Sequence, residues 1–378
     1  MSRLGFASLD RPIREYIALT CLLFNFASCV ANSEDAPNPL IVARKKERYV
    51  GTGISFDAMM RVIKKLATGG LLLQTLGDWE AGKATELLPT VQMVQMVTAT
   101  TNLHVEVVKT PDLVILKDAE GKHLPVPDTQ QTRKMQENLR VINAASAKFK
   151  WRFSHAGIEH ELIPPDLAYH RSFNHGSFEL GGRFYSLAEG LPEKKLHLRS
   201  TLTVNGHPTV ELDFKSMQPR MLYHMGGHEA PEDCYAIDVP QLEKHPQARE
   251  IIKKAVLVAL NCRADQNPPS ALWSSLQRDG LWLPKDLKPS ELLAQVKAAH
   301  PKIANSFCSG IGLSLQFRDA QIAERVLLAF DDAGKPCLAI HDSFVVAADD
   351  KDFAEDAMTA AYFAEMGAEP KITLKEKA

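Results

Sequence analysis

Three short stretches carry the residue types that could do chemistry. They are Val-Glu-Leu-Asp213-Phe-Lys-Ser-Met-Gln218-Pro-Arg220, then Arg249, Lys253, Leu257 and Asn261 at intervals of four, then Ile-His341-Asp342-Ser343-Phe344. Two isolated aspartates with a cationic segment between them are the parts that metal-assisted phosphoryl transfer requires. Two such acids repel unless cations lie between them, and a pair of Mg²⁺ ions roughly 3.5–4 Å apart is the usual solution. Arg249 and Lys253, one helical turn apart, repel each other by roughly a few tenths of a kcal/mol. A triphosphate along that face would offset the cost, Lys253 meeting the inner phosphates and Arg249 the outer one.

The elements that must position these groups follow from periodicity. Val210, Leu212 and Phe214 alternate with Glu211 and Asp213, so a strand here buries one face and turns both carboxylates to the other. Pro219 suits the first turn of a following helix, with Arg220 on that turn, and Gly226-Gly227 stops it. Two apolar runs flank His341-Asp342, as in a hairpin whose turn holds the acid, because an unpaired carboxylate inside either run would be costly to bury. Ile251, Ile252, Val256 and Leu260 give the 249–261 segment an apolar stripe away from its cations. Each segment alone has an ordinary reading: acids on an open sheet face, a reverse turn, a solvated basic helix face.

Taken together and in order, the three segments resemble motifs A, B and C of the single-subunit polymerase superfamily, which comprises family A DNA polymerases and phage-type RNA polymerases. The resemblance spans about residues 165–378. It implies an α+β right-hand palm with reduced fingers near 236–315, and it makes Asp213 and Asp342 the ligands of two Mg²⁺ ions, or of Mn²⁺ in their place. Arg249 and Lys253 match the pair that holds the incoming triphosphate, with Leu257 and Asn261 further along the same helix, Asn261-Cys262 falling where the family has Tyr-Gly. His341 and Arg220 would lie near the primer end. Gly181-Gly182-Arg183-Phe184 and Arg199 are similar to a Gly-Arg element and a nearby arginine that contact primer-template DNA. The implied activity is template-directed addition of nucleotides to a 3′-hydroxyl without proofreading, with DNA synthesis first and RNA or primer synthesis next. Gln218 stands where DNA enzymes place a sugar-excluding glutamate, and Ser343 where they commonly have glutamate after the motif C aspartate. An inert DNA-binding replication factor built on the same palm, or a metal nuclease using the same acids, are the competing readings.

The 378 residues are 45% apolar and 24% charged with a formal net charge of -2, enough to bury cores in two or three domains and too balanced for a protein that coats nucleic acid indiscriminately. Six cysteines without a Cys-x2-Cys pair indicate neither a zinc site nor a disulfide framework, so a reducing, cytoplasmic setting is expected. His224 and His228 are separated by glycines that would break a helix aligning them on zinc, and no phosphate-binding Gly-x4-Gly-Lys motif is present. The apolar run from Tyr16 to Ala31 is too short to cross a bilayer and carries Glu15 and Asn25 at or near its start and middle, so no membrane partner is expected. No residue pattern sets an oligomeric state.

Upstream, a helix over about 12–31 precedes a polar stretch (32–39) and a basic cluster, Arg44, Lys45, Lys46 and Arg48. A second helix starts at Ser55 as N-cap, carries Met59, Val62, Ile63 and Leu66 on one stripe, and ends at Gly69-Gly70. Two strands, 71–76 and 85–88, follow across a turn from Gly77 to Lys83. This order resembles a winged helix-turn-helix over residues 12–105, which implies an amino-terminal nucleic-acid-binding module (1–105) with Arg61, Lys64 and Lys65 near phosphates. A polar helix from Thr129 to Phe149 reads as a connector or small thumb within 106–160, before a palm and fingers over 161–378.

Overall fold

The computed structural model describes residues 13–31, 40–42, 46–49, 54–77, 85–98, 112–155, 158–162, 164–186, 191, 198–263 and 265–375. The stretch 32–39, Arg44, Lys45 and the turn residues 78–83 lie outside them. The chain is mixed α+β and divides into two compact units, Met1–Lys109 and Thr110–Ala378.

The first unit holds α1 (Ile13–Ala31), β1 (Leu40–Val42), α2 (Phe56–Thr68), β2 (Leu72–Thr75), β3 (Thr85–Pro89) and α3 (Val91–Thr98). Its strands form an antiparallel sheet in the order β1-β3-β2. Ser55 Oγ accepts the Ala58 N–H at 3.4 Å to start α2, whose buried stripe is Ala58, Met59, Val62, Ile63 and Leu66. That stripe packs on Leu19, Leu22 and Phe26 of α1 and on Leu72 and Leu87 of the sheet.

The second unit runs β4 (Val114–Lys117), β5 (His123–Leu124), α4 (Gln130–Ser146), β6 (Trp151–His155), β7 (Ile158–Leu162), α5 (Pro164–Leu167), β8 (His170–Asn174), β9 (Ser177–Tyr185), β10 (Thr203–Val204) and β11 (His207–Phe214). It continues with α6 (Met217–Met225), α7 (Ala248–Asn261), α8 (Pro268–Arg278), α9 (Pro289–Ala299), α10 (Gly312–Asp332), β12 (Cys337–Ile340), β13 (Ser343–Ala347), α11 (Lys351–Met366) and β14 (Ile372–Leu374). One sheet has the order β12-β13-β11-β10-β6-β7, with β14 also on β11, and a second has the order β5-β4-β8-β9.

Strand β11 is central because its sequence alternates. Leu212 and Phe214 are buried, and the Phe214 ring lies edge-on to Phe344 and tilted against Tyr362 of α11. Glu211 and Asp213 take the opposite face, as period-two geometry requires. Helix α4, read from sequence as a connector or small thumb, packs into this core. Met135, Leu139 and Ile142 of α4, spaced by four and three, are buried in it, a stripe that the helix's many polar residues obscure. The Asn143 side chain of α4 clasps the Tyr169 backbone, accepting its N–H at 2.7 Å and donating to its carbonyl at 3.0 Å. The Tyr169 hydroxyl in turn accepts the Ala339 N–H at 2.8 Å and donates to the Ala339 carbonyl at 3.1 Å, on the outer edge of β12.

Candidate active site

Asp213 and Asp342, 129 positions apart in the sequence, meet because β11 and β13 are antiparallel neighbours with Asp213 opposite Ser343. Asp342 immediately precedes that partner, and its carbonyl accepts the Phe214 N–H at 3.3 Å. It sits in the two-residue turn of the β12–β13 hairpin, where Ile340 pairs with Ser343. The turn forces His341 to a φ of 57°, a left-handed backbone that a non-glycine residue adopts at a cost. The hairpin therefore lifts Asp342 to the end of the sheet at which Asp213 emerges.

The pair is electrostatically uncomfortable. Burial, and after it the negative charge of Asp342, raise the Asp213 carboxyl from 3.8 to about 6, with Lys375 opposing. Lys375 follows β14, which pairs Thr373 with Asp213 along the other edge of β11. Its ammonium lies 3.4 Å from Asp213 Oδ2 and donates to Glu211 Oε1 at 2.6 Å and to Ser343 Oγ at 2.7 Å. Nothing in the sequence pattern singled this lysine out. Its reach to Glu211 spans 164 positions, a separation that local periodicity does not reveal.

The cations of the basic helix α7 bear on the loop after α6. Arg249 Nη1 is 2.7 Å from Asp233 Oδ2, and Lys253 Nζ lies 5.8 Å from the centroid of the Tyr235 ring. Burial pushes the Tyr235 phenol up, with Asp342 and Asp213 adding to it, so this loop lies within electrostatic range of both acids. Leu257 shares the helix face, half-buried, while Asn261 at its exposed end turns its amide back onto the Leu257 carbonyl at 2.7 Å. Gln218 is buried at the start of α6, directly after the β11 turn, and its Oε1 has no hydrogen-bond partner.

The other arginines are committed to protein groups. Arg220 is 4% exposed and donates to the carbonyls of Lys215, Pro231 and Glu232, so it ties the turn after β11 to the loop carrying Asp233. Arg183 is paired with Asp319 of α10 at 2.5 Å, and Arg199 with Glu211 at 3.3 Å. Gly182, just before Arg183, has a φ of 74°, and a Cβ there would run into the Phe173 ring. Its carbonyl accepts from the fully buried Arg171, which also pairs with Glu324 of α10. In the first unit, Arg61 and Lys65 both bind Glu15 of α1 at 2.9 Å, and Lys64 is exposed. His224 bonds the Tyr362 hydroxyl at 3.0 Å.

Among the described residues, no group of three or more His, Cys, Asp or Glu could hold a metal ion, and no helix is long and apolar enough to cross a membrane. No protein-family model matches the chain, and no curated protein matches it. Among solved structures it is similar to the POL domain of Pol1 from M. smegmatis, in complex with DNA primer-template and dNTP, at 14% identity and a TM-score of 0.31. That match covers 95% of this chain, which spans 65% of the other.

Proposed function

We propose that this chain is a nucleotidyltransferase that adds nucleotides to a 3′-hydroxyl on a template, with DNA synthesis as the first reading and RNA or primer synthesis as the second. The observation that carries it is Asp213 of β11 standing beside Asp342 in the turn before β13, while Arg249 and Lys253 of α7 bear on Asp233 and Tyr235 of the loop after α6. In this reading β11 and β13 belong to the palm, α7 to reduced fingers over about 236–315, and the first unit is a winged-helix-like nucleic-acid-binding module.

Asp213 and Asp342 would hold two Mg²⁺ ions. The donor set fits, because Mg²⁺ commonly takes only one or two carboxylates and completes its shell with water and substrate phosphates. The Lys375 ammonium, 3.4 Å from Asp213, marks a position where positive charge is already accommodated. The bound ions would supply an activated hydroxyl and neutralisation of the leaving pyrophosphate. Lys253 and Arg249 would hold the triphosphate, Arg249 exchanging Asp233 for phosphate. Gln218, with its unsatisfied Oε1, would stand beside the sugar, where an incoming donor would relieve the buried oxygen.

The test is incubation with a primed template, Mg²⁺ and labelled dNTPs or NTPs. Wild type extends the primer, and Asp213→Ala and Asp342→Ala each lose roughly 10³-fold or more of that rate. Equal extension by all three would expose a contaminant and remove the proposal. Shortening of the labelled strand would make the same acids those of a nuclease.

A further inference from the structure

We infer that Lys375 is an internal competitor of the divalent cation: its ammonium neutralises the Glu211–Asp213 face in the resting protein, and metal must displace it from Asp213. The inference rests on the proposed metal-binding role of Asp213 and adds to it a residue and a mechanism of control.

Three observations converge on this lysine. Its backbone is anchored, the Lys375 N–H donating to the Glu211 carbonyl at 2.9 Å, so the end of β14 delivers the side chain to one place. There its ammonium reaches three oxygens on two strands, Glu211 Oε1, Ser343 Oγ and Asp213 Oδ2, a convergence of hard oxygen donors of the kind that receives a cation. Finally, the contact is uneven. The Glu211 bond is short at 2.6 Å and Glu211 is nearly buried, whereas Asp213 is 3.4 Å away and more open. Ser343 contributes a hydroxyl that accepts from Lys375, where a carboxylate would have drawn the ammonium further in.

The uneven grip sets the direction of exchange. A divalent ion arriving at Asp213 meets a like charge a few ångströms off, and the lysine can retreat toward Glu211 without losing its stronger bond. The stem is about one-third exposed, so retreat needs no repacking of the core. Metal occupancy therefore changes the position of the ammonium while the backbone bond to Glu211 holds.

The experiment measures metal affinity of the full chain without nucleotide. Free Mn²⁺ is followed by electron paramagnetic resonance for wild type, Lys375→Met, Lys375→Arg and Asp213→Ala. Removing one unit charge at this range tightens binding by roughly tenfold in Lys375→Met, while Lys375→Arg stays near wild type and Asp213→Ala abolishes the site. Equal or weaker Mn²⁺ binding by Lys375→Met, with Asp213→Ala still abolishing it, overturns the competition and leaves the proposed function standing. Binding that Asp213→Ala does not alter overturns both.

Discussion

Two carboxylate–cation pairs flank Asp342, and they are built in opposite ways. Asp319 and Arg183 meet at 2.5 Å with the acid 2% exposed, one partner on α10 and the other on β9. Asp213 and Lys375 stand 3.4 Å apart with 27% and 37% of their side chains exposed, and the cation directly follows the last described strand. Burial pushes the Asp319 carboxyl up and Arg183 opposes it, so neither member can leave without stranding the other in a dry core. The open pair has water as an alternative partner. A carboxylate–cation pair is therefore a permanent brace in one place and an exchangeable contact in the other, and depth separates the two.

The largest effect that could break this contrast is on stability. Asp319→Ala strands Arg183 and is expected to cost about 3–5 kcal/mol in chemical denaturation, and the double change Asp319→Leu with Arg183→Met should recover much of it. A loss below about 1 kcal/mol, the range of an exposed pair, would mean that the buried pair is no brace.

The open pair should respond with the opposite sign. Because the Asp213 carboxyl is raised from 3.8 to about 6, the folded protein binds a proton there more tightly than the unfolded chain does. The associated stability is complete below about pH 4 and is lost as the pH rises through about 6. Asp213→Asn should therefore stabilise the metal-free protein by about 1–2 kcal/mol at pH 7.5, with no gain near pH 4, as read from thermal melts. Added Mg²⁺ should narrow the gap by stabilising wild type alone.

The smallest effect concerns the basic helices. Arg249→Ala should raise the KM for nucleotide roughly tenfold with a smaller change in kcat, whereas Arg61→Ala should leave that KM unchanged. Equal effects of the two substitutions would erase the distinction between the helices.

That distinction also shows what the sequence made legible. Helices α2 and α7 look alike on paper, each an apolar stripe with lysine and arginine opposite, and local periodicity found both, as it found the alternating strand β11 and the hairpin around Asp342. What lies opposite the cations was not legible, since Glu15 sits 46 and 50 positions from the arginine and lysine it binds. Asp319 is 136 positions from Arg183 and reads in sequence as one more polar residue of a helix. Lys375 escaped for the same reason. The acids at the centre stood out because each interrupts an apolar run, a local conflict, whereas their cationic neighbours create no conflict until the chain has folded.

The Tyr169 hydroxyl has a further consequence for how the sheet ends. In a hairpin with a two-residue turn, Ala339 points its amide and carbonyl away from β13, toward what would otherwise be a bare rim open to another chain. One phenol satisfies both groups, so a single side chain withdraws the Ala339 donor and acceptor from strand-to-strand association while leaving the turn above unencumbered.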